Sequence, residues 1–374
     1  MKRVGWLALL LLWLLMQSVS ADTGTLYREQ LSAAGGDTLT QQLPADAREL
    51  LEALELDLAS PDSFTSLSGE RVLSMLSSLL EGQASGPLQA ALSLLAVVVL
   101  SAMLSGLEHT AAPSLQPTYH TVAVLAAAGL LLTPLAGLLQ QVREAVESVT
   151  VFMYSFVPVY TGVLTVSGAA TAAVSYQTTL LAAAELLTTL LRYGVWPLLT
   201  VTLAFGCTGA VTEGFGLDAI SASLHKAVLW GMGLFSSVFT WVLSTQQMVA
   251  RAGDTLGSRA LKFSLASFVP VVGGALSEAY STVLGCAGLL RSTVGAFGVA
   301  AVVMTVLPPL VSCVCWNLCL HIGATAAGVF RLGALEKLCR TVSGAVRVLI
   351  AVLAVMAVLM LISTSVIVHT GKAA

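Results

Sequence analysis

One carboxylate, Glu278, stands inside a long apolar run, SLASFVPVVGGALSEAYSTVLGCAGLLR, from Ser264 to Arg291. An ionisable group at membrane depth marks a path, a relay or a buried pair unless it lies near an interface. Arg291 or Arg192 would be the cation that keeps this carboxylate charged; the structural alternative is a hydrogen bond between helices. Just before it, Pro270, Gly273 and Gly274 break the run. Broken backbone in lipid survives only where protein or a water-filled cavity covers it. Glu185 is a weaker candidate, seven residues before Arg192.

A second group, Cys313, Cys315, Cys319 and His321, invites a metal. Structural zinc sites present paired cysteines on turns. These four sit in apolar sequence, where cysteine behaves as a small hydrophobe, so no metal is expected. P-loop, Rossmann, HExxH and GxSxG signatures are missing from the sequence. No catalytic residue and no cofactor is expected, and any energy for transport must come from another subunit or an ion gradient.

Elements that position such residues must be solvated by lipid. Of 374 residues 56% are hydrophobic and only 10% charged, with a mean hydropathy of +0.88, where ordinary soluble domains carry about 25% charge. The expected fold is all-α, a polytopic helical membrane protein. Asp22 to Glu81 holds eleven acidic residues against Arg28, Arg48 and Arg71, which excludes nucleic acid as a partner. All six cysteines lie in or beside apolar segments, so no disulfide framework is expected.

Residues 1–21 read as a signal peptide: Lys2 and Arg3, an apolar core from Val4 to Met16, then Val19-Ser20-Ala21 for cleavage. An uncleaved first span is the other reading. Residues 22–86 are expected to form an acidic extracytoplasmic region of two short helices, one with Leu50, Leu51, Leu54 and Leu58 on a face behind Pro44, the other with Val72, Leu73, Leu76, Leu79 and Leu80 and ending at Gly82 and Gly86. It suits partner docking better than independent catalysis. Residues 87–374 form the membrane domain. Eight spans are expected, at 88–107, 119–139, 149–168, 193–212, 228–248, 264–290, 292–316 and 348–368. Basic residues in 251–262 and 331–347 place both stretches in the cytoplasm, opposite the acidic region.

The broken run has an earlier copy. Ser155-Phe156-Val157-Pro158-Val159 with Gly162 recurs 112 residues later as Ser267-Phe268-Val269-Pro270-Val271 with Gly274. Pro197 and Pro309, and Cys207 and Cys319, share that offset. The candidate repeats are 142–215 and 254–327, opposed in topology as in many transport folds; coincidence in low-complexity sequence is the alternative. Two re-entrant hairpins with fewer full spans fit the loop charges equally well. Pro158, Gly162, Pro270, Gly273, Gly274, Glu278 and Arg291 are the candidate path or broken-helix residues. Small-residue pairs such as Gly231/Gly233, Gly285/Gly288 and Gly295/Gly298 suit close helix packing.

From Arg259 to Gly298, the FVPVVGGALSEA…VLGC stretch resembles the stage III sporulation protein AE family of endospore-forming bacteria. The order of parts along nearly the whole chain is similar too. The resemblance implies a non-enzymatic subunit in the mother-cell membrane around the forespore. Its implied partners are the other membrane proteins of the stage III operon, their cytoplasmic ATPase and a forespore channel component. Together they would form a transenvelope channel or export apparatus needed for forespore development. A stand-alone secondary transporter is the competing reading.

Overall fold

Lipid offers the backbone no hydrogen-bond partners, so apolar sequence rich in Leu, Ala and Val closes its own bonds as helix. The computed structural model describes residues 23–33, 35–58, 60–64, 68–111, 116–211, 216–268 and 273–370, with the side chains of 255–284 outside the description. Every regular element among them is helical. Three short helices come first, α1 (Thr23–Ala33), α2 (Gly36–Gln41) and α3 (Ala45–Ala53), with a 3₁₀ turn at Pro61–Phe64. Long helices follow: α4 (Gly69–Ala111), α5 (Gln116–Val166), α6 (Ala170–Leu190), α7 (Trp196–Val211), α8 (Leu217–Phe268), α9 (Gly273–Val329) and α10 (Gly333–Thr370).

A π-helical turn, Leu191–Val195, joins α6 to α7. Pro197 explains it: without an N–H it cannot bond back to Tyr193, and a widened turn absorbs the missing bond. At the α5–α6 turn Gly168 takes φ +79°, with Ala169 N–H bonded to the Leu164 carbonyl (3.0 Å) and Gly168 N–H to Thr165 (3.1 Å). This is a Schellman stop with glycine at its left-handed position. The α9–α10 turn repeats the pattern with Arg331 at φ +60°.

Six stretches among the described residues are long and apolar enough to cross a membrane. They make the chain a multi-pass, all-α membrane protein. Eight spans were expected because polar QQVREAVESV separates two apolar runs; here it joins them into one helix, and 119–139 and 149–166 both fall within α5. The runs 264–290 and 292–316 share α9 from Gly273 onward.

Side-chain pairs fix the register. Ser167 Oγ donates to the Ala287 carbonyl (3.0 Å), and further along Gly295 meets Tyr160 and Gly298 meets Phe156, so α5 and α9 run antiparallel. Asp254 of α8 accepts from the Thr171 and Ala172 amides (2.9 and 3.0 Å), capping α6, while Gln246 contacts Ser175 and Thr179 lower down. On α7, Thr202 takes Ser221 on its carbonyl and His225 on its hydroxyl (both 2.9 Å). Toward the far end Gly206 lies against Thr341, Gly344 against His225, and Gly323 against Leu94.

Past the α5–α6 turn, α8 continues from Asp254 to Phe268, and α9 starts at Gly273, well before Ala287. At 1.5 Å per residue each helix projects about 21 Å beyond that turn. The N-terminal helices pack at the same end: a Cβ at Gly35 would lie 3.5 Å from Val159 Cγ2, and Gln30 and Ala33 line a cavity with Val166. The loop-charge scheme puts the acidic region and residues 251–262 on opposite sides, whereas Asp254 lies at the end of the bundle where the acidic helices dock.

Candidate functional site

The first SFVPV copy lies inside α5, which runs unbroken through Pro158 to Val166. No re-entrant hairpin forms there. Pro158 faces outward, and Thr161 Oγ1 bonds the Val157 carbonyl (2.7 Å) within the helix. The second copy straddles the α8–α9 connection. Pro270 lies outside the described residues, Gly273 and Gly274 are the first backbone positions of α9, and the Glu278 side chain is outside the description. The first copy is continuous helix; of the second, Ser267 and Phe268 end α8, and Gly274 lies in α9, which runs antiparallel to α5.

Through the first copy's phenylalanine, Phe156, α5 presents a stripe at one residue per turn: Phe152, Phe156 and Tyr160. Ring centroids are 5.6 Å apart for the first pair and 5.3 Å for the second, stacked. Tyr160 then meets Tyr176 of α6 edge-on at 5.3 Å, a favoured aromatic geometry. All four rings are buried. Gly295 and Gly298 of α9 make room for this stripe, with the Tyr160 hydroxyl 3.0 Å from where a Cβ at 295 would lie. The expected packing role holds for that glycine pair; Gly231, Gly233, Gly285 and Gly288 have open space at the same position.

Arg291 is buried on α9, 7% exposed, one turn before Gly295. Its guanidinium lies in electrostatic contact with the Tyr160 hydroxyl, which meets no hydrogen-bond geometry. The Tyr176 hydroxyl approaches Ser363 of α10 in the same way. Tyr160, Tyr176, Arg291 and Ser363 thus form a polar seam drawn from four helices inside an apolar core. Gln247 of α8, 1% exposed, adds an amide with both polar atoms unsatisfied among the described residues.

Beside the seam a cavity of about 170 Å³ is lined by Gln30, Ala33, Gly162, Val163, Val166 and Leu290. Gly162 contributes its missing side chain to that space. The N-terminal region closes it: Tyr27 is buried, donates to the Leu58 carbonyl (2.8 Å) and lies beside Thr293 of α9. Burial raises the Tyr27 pKa above its ordinary value, so it remains a neutral donor at physiological pH.

The structure therefore joins Gly162 and Arg291 in one neighbourhood and leaves Pro158 on the outer face. Arg192 lies far from Arg291, on the π turn beside Tyr193. Cys313 is buried, Cys315 and Cys319 are half-buried on α9, and His321 Nε2 is 3.5 Å from Ser343 Oγ. No three His, Cys, Asp or Glu side chains converge among the described residues. Tyr160, Tyr176 and Gln247 were not foreseen; Tyr160, two residues after Pro158, carried the one usable signal, a tyrosine inside apolar sequence.

Comparison with known proteins places this architecture. A family model, that of stage III sporulation protein AE, matches residues 62–371. Stage III sporulation protein AE of Bacillus subtilis (strain 168) is 24% identical over 229 residues, covering 61% of this chain and 57% of that protein's length. No solved structure matches the chain. The family match takes in all seven long helices and the Arg291 seam, and the chain belongs to the stage III sporulation protein AE family.

Proposed function

We propose that this protein is a non-enzymatic subunit of a channel or export apparatus joining mother cell and forespore, seated in the mother-cell membrane and required for forespore development. One observation carries the reading: the acidic N-terminal helices and the projecting ends of α8 and α9, with the family's most distinctive motif, share one end of the bundle. Such an end presents charge and protruding backbone to other proteins rather than a closed pocket to a small substrate. The partners are other membrane proteins of the sporulation operon, their cytoplasmic ATPase and a forespore component. A stand-alone secondary transporter is the alternative; the acidic N-terminal helices docked on the bundle favour partner docking over it.

The test replaces the chromosomal copy with Pro270→Ala and Glu278→Gln variants in an endospore-forming host. Membrane levels of the protein, a forespore late-gene reporter and heat-resistant spore counts are read together. The expected result is normal insertion with a large loss of spores and reporter signal. Normal sporulation with both substitutions would sink the proposed role of this end.

A further inference from the structure

Helices α8 and α10 run side by side in one direction, each with cations at the start of a long charge-free run. Gly344 of α10 lies against His225 of α8. Further on, Gln246 of α8 meets Ser175 and Thr179 of α6, and Ser363 of α10 meets Tyr176 between them. The advance is 21 residues along α8 and 19 along α10, so the two helices are parallel and in register. From that first contact toward the α5–α6 turn, α8 has no charged residue from 227 to 250 and α10 none from 348 to 368. At 1.5 Å per residue the runs are about 36 and 32 Å long, close to the roughly 30 Å of a hydrocarbon core.

Cations stand where these runs begin. Lys226 and Arg347 are exposed, and neither forms an ion pair among the described residues. Arg340, two turns before Arg347, is held by Glu336 (2.7 Å). Arg347 Nε donates to the Ser343 carbonyl (3.4 Å), and its charge is within electrostatic reach of His225, the neighbour of Lys226 in the chain. Arg143, with Glu144 and Glu147 beside it on α5, sits over Trp196. Trp196 precedes the Thr202 that bonds His225 by six residues, about 9 Å along the helix axis. Charge from α5, α8 and α10 is thus gathered into one zone at the edge of the apolar runs, where lipid headgroups lie.

Apolar side chains lead away from that zone. On α8, Trp230, Leu234 and Trp241 share one face and are 71%, 48% and 68% exposed, and Trp230 is one turn from Lys226. On α10, Val358 and Leu361 are exposed on the face that carries Arg347. We propose that the α8–α10 face binds an anionic phospholipid, its phosphate between Lys226 and Arg347 and its acyl chains along Trp230, Leu234 and Val358. Two cations without carboxylate partners suit a phosphate whose headgroup brings no cation of its own; a zwitterionic lipid would carry an ammonium into the same cradle. A lipid rather than a soluble phosphate is indicated because the apolar track starts one turn from Lys226. Trp230 has the amphipathic ring that prefers this boundary. The inference does not depend on any transport role.

Tryptophan quenching tests it. Full-length protein is reconstituted in phosphatidylcholine vesicles with increasing amounts of dibrominated phosphatidylglycerol or, in parallel, dibrominated phosphatidylcholine. Bromine quenches tryptophan on contact, so Trp230 reports occupancy. Quenching should saturate at a lower fraction of the anionic lipid than of the zwitterionic one. A cation near a membrane surface contributes on the order of fivefold to such affinity, so Lys226→Gln and Arg347→Gln should each raise the half-saturating fraction by about that factor, and together by about 25-fold. Arg28→Gln with Arg192→Gln removes equal charge elsewhere and should leave the curve in place. Equal quenching by the two lipids, an unshifted curve for the double variant, or an equal shift for the control pair overturns the proposal. Displacement by inorganic phosphate or a polyglutamate peptide at the lipid's own concentration also overturns it, assigning the cations to a soluble anion or an acidic protein. Where a glutamine variant fails to insert, Trp230→Phe decides: it should remove most of the excess quenching by the anionic lipid, and excess that survives it overturns the proposal.

Discussion

Replacing Gly298 with alanine should loosen the core at one identified point. A Cβ there would lie 2.3 Å from Phe156 Cζ, 2.4 Å from Cε2 and 3.0 Å from Cε1. Carbon contacts settle near 3.5–4.0 Å, so the ring edge must retreat by about 1.2 Å or more. It has little freedom to do so, because Phe152 and Tyr160 stack on either side at 5.6 and 5.3 Å. Overpacking of this kind costs typically 1–3 kcal/mol, a roughly 5- to 140-fold shift in the folding equilibrium. Unfolding in mixed micelles by increasing detergent denaturant would measure it. Gly288→Ala is the control, since its Cβ meets nothing within 4 Å and alanine is the better helix former by about 1 kcal/mol. Phe156→Leu in the Gly298→Ala background should recover about 1 kcal/mol or more, a coupling expected only of residues in contact. Equal stability for Gly298→Ala and Gly288→Ala would refute the packing of α9 against the aromatic stripe.

Other consequences concern topology, capping and titration. Single cysteines at Ser32, Ala170 and Ala252, all exposed, should react with an impermeant thiol reagent from one and the same side of the membrane. Reaction of position 32 from the side opposite to 170 and 252 would restore the eight-span scheme. Asp254→Ala removes the carboxylate that caps α6 and should cost about 0.5–2 kcal/mol, with faster hydrogen exchange at Thr171 and Ala172; Asp254→Asn should lose less. Unchanged exchange at both amides would count against the cap. Tyr27 titrates higher when folded than unfolded, so its contribution is constant below the unfolded value near 10. Above that pH the unfolded chain gains by ionising first, and stability falls. Tyr27→Phe should lower stability by about 1 kcal/mol at neutral pH and flatten the alkaline decline. A decline of the same steepness in the variant would assign it elsewhere.

What the sequence determined by itself was what single residues and local periods control. Apolar composition required lipid, since no packed interior could hide so much hydrocarbon, and all-helical spans followed because the backbone must satisfy itself there. The helix start behind Pro44 follows from backbone chemistry at that position. The family is equally local, resting on FVPVVGGALSEA and its neighbours. Span number was not local. Gln140–Val149 reads as a short polar helix between two spans, yet it joins both into one helix because helix propagation only needs each N–H to reach the carbonyl four residues back. Nor did the SFVPV string announce that its first copy would be continuous helix: α5 runs through the exposed Pro158 with Phe156, Val157 and Tyr160 buried around it. Loop charge alone could not see that Asp254 would cap α6 beside the acidic helices. The seam of Tyr160, Tyr176, Arg291 and Ser363 gathers residues up to 203 positions apart, a placement only antiparallel packing against Gly295 and Gly298 decides. Glycine shows in the sequence where backbones can approach; which ring fills the gap is a property of the partner helix.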